Sequence, residues 1–448
     1  MLTIVASHCV VPNKETPKTR LGLSDNDHTA RLGHTPTIQI YKTKHNNITE
    51  RMRDSLAKIL VYYYPVAGRL CLAETGRIEL DCNAKGVIFV EAETTKSMGD
   101  YGDFSPSESI KMELAPQIDY TQPIEELPLL FVQLTRFRGG EGFAIGVAQS
   151  HALCDGLGGI QLINAWAKVT RGETLEPHEM PFLDRTMLKP QHSPSTPCFH
   201  HPELKPLPLK LGTSDSVAEQ NKKTVTELLK LTPEQVEKLK KEANEQPMKE
   251  RLRPYSRFEA ISAHIWRCAS KARELDEKQP TVVKFNADIR NRLIPPLPRN
   301  YYGNALAATV TPKCYAGEII SKPLSFAAHK IREASEVLSN EYIRSQLKVA
   351  LKQEHLDCIK AFFLGQGERT PSHFAGNPNI HITSWMSMPV YEADFGWGKP
   401  IYFGLGYVSS HDRAVILLGP EGDGSVIVSM HFQIAHMQAF KKFFYEHI

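Results

Sequence analysis

The chemistry in this chain centres on Ser150-His151-Ala152-Leu153-Cys154-Asp155-Gly156. A neutral imidazole can take a proton from a hydroxyl or an amine and return it to a departing thiolate. Such general-base help is worth roughly 10²–10⁴ in rate. Asp155, four residues on, could steady the ring or the turn. With 18 histidines in the chain, an H-x-x-x-D pattern arises about once by chance, so the letters alone are weak. Asp155 also suits a plain helix N-cap, and Cys154 reads as a small buried thiol rather than a nucleophile. A second cluster, Asp394-Phe395-Gly396-Trp397-Gly398, sets two glycines around an aromatic, which suggests a tight loop with close backbone approach. Asp394 there reads best as a turn former. Motifs for a nucleophile elbow, a phosphate loop, a dinucleotide fold and an H-E-x-x-H zinc site are absent from the sequence, and no metal site is expected.

The elements around these clusters follow from periodicity. Phe143–Ser150 is β-rich and forms a hairpin with Leu129–Phe137 across Gly139 and Gly140. Leu157, Ile160, Ile163 and Ala167 fall on one face of a helix from Gly156 to Thr170. His151 is thereby set on a strand-to-helix turn, a place where side chains reach into clefts. Strands are expected at Thr37–Lys42 and Val87–Ala92, and a helix from Asn47 to Tyr62 with Thr49 as cap. Between about His192 and Ser216 the apolar period collapses into Pro, His, Lys and Ser, which marks a linker. Beyond it come a strand at Val225–Leu231 and helices opened by capping boxes at Thr232 and Ser256. A strand at Val282–Ala287 and a mostly helical stretch from Ser325 to Leu351 follow, then strands near the end at His381–Met386, Ile401–Gly404, Ala414–Leu418 and Val426–Phe432. A last helix starts near Ala435. The expectation is a mixed α/β lobe over 1–191, a linker over 192–216 and a second mixed lobe over 217–448 that includes the Asp394–Gly398 loop.

Lys plus Arg number 53 against 50 Asp plus Glu, a balance of +3 in 448 residues. That is too even for a nucleic-acid binder. The apolar stretch at Met1–Pro12 lacks a cationic leader, and no run of 18 apolar residues occurs, so neither a secretory signal nor a membrane span is expected. The eight cysteines are scattered without a C-x-x-C pair, which reads as reduced thiols in a cytoplasmic protein.

Taken together, H-x-x-x-D-G in mid-chain and D-F-G-W-G roughly 240 residues later resemble the signature pair of the plant BAHD acyltransferases. Tyr64–Leu70, Asp81–Gly86, Asp288–Arg292 and Asn300–Asn304 are similar to the same family. The resemblance covers essentially the whole chain. It implies an α/β fold of two chloramphenicol acetyltransferase-like lobes, with mixed sheets flanked by helices and an active-site tunnel between them. It implies His151 as general base in a direct transfer from acyl-CoA, which is a co-substrate; no tightly bound cofactor is expected. Asp155 would pair with Arg290 and hold the turn, and Asp394, Gly396, Trp397 and Gly398 would be architectural. A monomer acting on small molecules is expected.

CoA is polyanionic, and phosphates favour cations and helix N-termini. Arg253, Ser256 and Arg257, with Lys249 and Arg251 before them, offer both. For the acceptor, members of the family that acylate shikimate or quinate carry an Arg in S-W-x-R-x-P; this chain has Ser387 there, in Ser384-Trp-Met-Ser-Met-Pro389. A buried carboxylate would lack its partner. Ile118–Ile124, Pro181–Arg185 and the tail from Gly422 look like spermidine hydroxycinnamoyltransferases. That resemblance implies a polyamine acceptor, with an alcohol such as shikimate or quinate as the alternative. Thr35, Ser387, Glu392 and Asp412 are the pocket candidates, together with Glu421, and Asp412 leads as the anchor for a distal ammonium.

Overall fold

The computed structural model describes residues 1–30, 33–45, 48–188, 199–245, 253–350, 357, 374–408, 412–446 and 448. Two six-stranded mixed sheets organise the chain. The first runs Leu2–Val10, Val87–Thr94, Leu130–Arg136, Phe143–Ser150, His34–Tyr41 and Tyr402–Leu405 in spatial order. Only its Val87–Thr94 and Leu130–Arg136 neighbours are parallel. The second runs Leu306–Val310, Val283–Asp288, Ile380–Ser384, Arg413–Leu418, Val426–Gln433 and Thr224–Leu231. Its parallel pairs flank Ile380–Ser384.

Each sheet buries one face under helices. Ile48–Tyr62 and Gly156–Thr170 cover the first through Met52, Leu56, Ile59, Ile160, Ile163 and Trp166. The i, i+3, i+4 spacing of these side chains puts them on single helix faces. Pro233–Asn244, Arg257–Ala272, Leu324–Glu336 and Ile434–Tyr445 cover the second. Both capping boxes read from the sequence form: Thr232 with Gln235 and Ser256 with Glu259. Among the described residues no helix is long and apolar enough to cross a membrane.

The lobe boundaries differ from the sequence expectation. Tyr402–Leu405 leaves the second half of the chain and pairs with His34–Tyr41 at the edge of the first sheet. Trp385, Val390, Ala393, Phe395 and Phe403 lie in the first core. The Asp394–Gly398 loop is therefore lent to the first lobe. The physical reason is a sheet edge with unpaired N–H and C=O groups, beside a segment too aromatic to leave in water. The 192–216 linker also needs revision. Residues 192–198 lie outside the described residues, and the rest is moored to the second lobe. His201 contacts Glu203 at 2.9 Å, and the Tyr342 hydroxyl donates to Glu203 at 2.8 Å. Gln279 and Asn379 donate to the carbonyls of Leu209 and Pro208.

Smaller differences have local causes. The first long helix begins at Ile48, so Thr49 sits inside it and accepts from Arg136 at 3.0 Å. The Ser325–Leu351 stretch splits into Leu324–Glu336 and Asn340–Ala350. There the Ser339 hydroxyl accepts from the Tyr342 N–H at 3.2 Å, competing with the helical bond as serine does at helix starts. Leu351 is outside the described residues.

Candidate active site

Phe143–Ser150 ends at a turn, and Gly156–Thr170 begins directly after it. Asp155 caps that helix by accepting from the Gly158 N–H at 3.0 Å. Its carboxylate also takes a two-pronged pair from Arg290, at 2.9 and 3.0 Å, and a third N–H from Ala305 at 3.0 Å. Arg290 follows the Val283–Asp288 strand of the second sheet, so this nearly enclosed pair clamps the turn to the other lobe. Fork-on-carboxylate pairing fixes geometry as well as charge.

His151 is held by its backbone. Its N–H donates to the Gly33 carbonyl at 2.8 Å, and the Asn304 amide donates to its carbonyl at 2.8 Å. The side chain is half-buried, while its Nδ1 is enclosed with no hydrogen-bond partner among the described residues. Burial lowers the imidazole pKa below its ordinary 6.5. Contacts with its own backbone, the Asp155 charge and the Asn304 amide oppose this, and the Arg413 charge adds to it. The ring is thus neutral near pH 7, as a general base must be. No hydrogen bond joins it to Asp155, whose oxygens are occupied as described.

A second buried pair, Asp27 with Arg185 at 2.6 Å, underlies the same turn. Arg185 donates to the Leu153 and Tyr302 carbonyls, and Asn304 donates to Asp27 at 2.9 Å. Burial pushes the Asp27 carboxyl up, but Arg185, Ser24 and Asn304 outweigh it and leave the pKa below 3.8. Asp27, Arg185 and Asn304 were not picked out individually from the sequence; Arg185 and Asn304 lie inside two of the segments that carry the family resemblance. Cys154 is a structural thiol: burial, with the Asp155 charge, raises its pKa, and its sulfur accepts from Gln149 at 3.0 Å.

The Asp394–Gly398 loop lies on the first core. Asp394 Oδ1 accepts from the N–H groups of Gly396 and Gly398 at 2.7 and 3.0 Å. Both glycines have left-handed φ, +103° and +100°, which a side chain resists. Phe395 meets Trp166 edge-on at 4.9 Å, Trp397 stacks on Phe395, and Arg171 donates to the Asp394 carbonyl.

The pocket candidates scatter. Thr35 is half-buried on His34–Tyr41, opposite Gln149. Ser387 is exposed on a turn whose neighbours Trp385 and Met388 abut Gly156. Glu392 is exposed and paired with Lys399 at 2.7 Å, and Glu421 with Lys230 at 2.6 Å. Asp412 is the clearest correction. It is fully buried, paired with Arg273 at 2.8 Å, and accepts from the Asn377 N–H. Arg273, on the helix side, takes up its charge, so Asp412 is not open to an ammonium. On the donor side, Arg253 and Arg257 are exposed. The Ser256 hydroxyl is engaged with Glu259, as is Arg253 at 3.4 Å. Lys249 and Arg251 are outside the described residues. Beside the His151 turn is a small recess lined by Gly33, His34, Leu70, Tyr120, Ile124, Leu127, Leu129 and Ser150.

The two-lobed fold recurs in solved structures. It superposes on vinorine synthase with a TM-score of 0.72 at 22% identity, over 100% of this chain and 98% of that one. It superposes on TRI101 of F. sporotrichioides, solved with coenzyme A and T-2, at 0.75 and 19%, over 94% and 97%. Residues 1–447 match the Transferase family. The chain is 42% identical to hydroxycinnamoyl-CoA:piscidic acid hydroxycinnamoyltransferase of Actaea racemosa, over 100% of both. It is 38% identical to shikimate O-hydroxycinnamoyltransferase of Nicotiana tabacum, over 99% of both. Identity is 36% to hydroxycinnamoyl-CoA:5-hydroxyanthranilate N-hydroxycinnamoyltransferase of Avena sativa, over 99% of both. The chain belongs to this family, the BAHD acyltransferases, whose members use acyl-CoA as co-substrate.

Proposed function

We propose that the protein transfers a hydroxycinnamoyl group from its CoA thioester directly to a hydroxyl or amine of a small organic acid. His151 withdraws the acceptor proton as the nucleophile adds to the thioester carbonyl. The tetrahedral adduct then expels CoA thiolate, and the imidazolium returns the proton to sulfur. Atoms balance without a covalent enzyme intermediate or a metal. The observation that carries this reading is a half-buried His151 on a turn clamped to the second sheet's lobe by the Asp155–Arg290 pair. Arg253 and Arg257, exposed at a helix start, suit the CoA phosphates.

The acceptor class rests on two supports. The relatives' acceptors are piscidic acid, shikimate and 5-hydroxyanthranilate, which are all acids and include both oxygen and nitrogen nucleophiles. The carboxylates nominated to hold a polyamine, Asp412, Glu392 and Glu421, are engaged with Arg273, Lys399 and Lys230. Spermidine N-acylation remains the competing reading, carried by likeness at 118–124, 181–185 and the tail. Thiol release from p-coumaroyl-CoA, measured with piscidate, shikimate, 5-hydroxyanthranilate and spermidine, decides between them. Turnover with acids and none with spermidine is expected, and His151→Ala should remove it. Equal thiol release by both proteins would leave the reaction without its base.

A further inference from the structure

Two polar atoms at the His151 turn are enclosed and unmatched among the described residues: Nδ1 of His151 and Oδ1 of Asn304. They belong to residues that touch. Asn304 precedes the Leu306–Val310 strand of the second sheet and is 2% exposed. Its side-chain Nδ2 donates to the His151 carbonyl at 2.8 Å and to Asp27 Oδ1 at 2.9 Å.

Further bonds keep this amide from turning. The Asn304 N–H donates to Asp27 Oδ1 at 2.8 Å, and the Asn26 side chain donates to the Asn304 carbonyl at 3.0 Å. Asp27 is itself held at its other oxygen by Arg185 and by the Ser24 hydroxyl, both at 2.6 Å. A reversed amide would set an oxygen against a carbonyl and a carboxylate, so the nitrogen must face them. Oδ1 is left on the other side of the group, where it can only accept.

The ring supplies the complementary group. The His151 carbonyl and the Asn304 amide both raise the imidazole pKa, as acceptors toward a ring N–H do. The Asp155 charge raises it too, and the Arg413 charge lowers it. A lone pair on Nδ1 would face two oxygens, whereas a hydrogen there has both as acceptors. In the structure Nδ1 and Oδ1 stand outside hydrogen-bond geometry, and catalytic bonds of this kind often tighten in the Michaelis complex. In a neutral imidazole the bond made by one nitrogen fixes the state of the other. The exposed part of the half-buried side chain is the edge away from Nδ1, which carries Nε2. Asp155 has no part in this choice, because its oxygens are taken by Arg290, Gly158 and Ala305.

Resting on His151 as the general base, we propose that Asn304 is its positioning residue: Oδ1 takes the Nδ1–H of His151 and so keeps the lone pair on Nε2, toward the acceptor. Arg185 and Asp27 act through it by fixing the orientation of the amide. The proton on Nδ1 stays there throughout the transfer, while Nε2 takes the acceptor proton and passes it to sulfur. A neutral amide does this without placing a negative charge beside the base.

Labelling histidine with ¹⁵N reads the tautomer directly, and the His151 signals are those missing from His151→Ala. Wild type at neutral pH should show Nδ1 protonated and Nε2 bare. Asn304→Ala should lose that preference and lower kcat for thiol release from p-coumaroyl-CoA by about 10- to 100-fold, at or below the lower end of what a general base is worth. The KM for p-coumaroyl-CoA should not change. The acid limb of kcat should move to lower pH, because an acceptor that raised the imidazole pKa is gone. Asn304→Ser keeps a donor for Asp27 without Oδ1; it should behave alike, and it carries the test if Asn304→Ala does not fold. A wild type protonated at Nε2, or a tautomer and acid limb unchanged in these variants, overturns the positioning role and leaves His151 as the base. Thiol release by His151→Ala equal to wild type overturns the base reading, and the positioning role with it.

Discussion

Replacing Asp155 by Asn separates a positional carboxylate from a proton relay. The Asp155 oxygens accept two N–H groups from Arg290, one from Gly158 and one from Ala305, all at 2.9–3.0 Å. Asparagine keeps one acceptor, enough to cap Gly158, but it turns an NH₂ toward other donors and leaves Arg290 without its main counter-charge. Breaking one side of a buried pair costs about 3–5 kcal/mol. Asp288 at 3.3 Å still faces Arg290, so the lower figure applies, about 3 kcal/mol. With unfolding entropy near 2.1 cal/mol/K per residue, that lowers Tm by about 3 °C in a chain of this length.

The effect on chemistry should be smaller than for a relay. A triad aspartate changed to asparagine costs about 10⁴ in kcat, whereas here less than about 10² is expected, from a loosened turn. The pH profile gives an independent sign. The His151 pKa is already below 6.5, so kcat is level at neutral pH and falls only as pH drops through that lowered value. Asp155 raises this pKa and Arg413 lowers it. Asp155→Asn should therefore move the acid limb to lower pH, and Arg413→Met should move it up. Calorimetry and thiol release between pH 5 and 8 read both effects. A 10⁴-fold loss of kcat at unchanged Tm would refute the positional role.

Three further outcomes follow from the geometry. Cys154→Ala should keep turnover near wild type, and iodoacetamide should not inactivate the native enzyme, because the thiol is buried and protonated. Gly396→Ala forces a side chain to φ +103° and should cost about 1–3 kcal/mol, read as a lower Tm, while the His151 acid limb stays in place. Arg257→Gln should raise the KM for p-coumaroyl-CoA and leave the acceptor KM unchanged; Ser256→Ala should instead cost about 1 kcal/mol of stability through the lost cap.

Local signals carried most of the architecture. The hairpin ending at Ser150 and the helix from Gly156 to Thr170 were readable because two periodicities meet at one turn, and the boxes at Thr232 and Ser256 because four residues suffice to form them. Long-range pairing was not readable. Leu2–Val10 shows only as an apolar stretch in the sequence, yet it is an edge strand on Val87–Thr94. The move of Tyr402–Leu405 into the first sheet depends on a vacant edge more than 350 positions away in the chain. Asp412 looked like an acceptor group because its charge is visible in the sequence and its partner Arg273 is not.

The same limit applies to the face of the second sheet turned away from its helices. Lys284, His381 and Arg413 lie on three strands, and each is an unremarkable basic residue where it stands. Shifting any one strand by a single residue would turn its side chain into the helix-covered core. The apolar neighbours fix that choice: Val283 and Phe285, Ile380 and Ile382, Ala414 and Ile416 must all face inward, and the basic residue between or beside them is then forced outward toward His151. Which charges that sheet face carries is thus decided by hydrophobic burial on its other side. Exchanging Ala414 for a charged residue should accordingly unfold the lobe rather than re-aim Arg413, since no second register places both faces correctly.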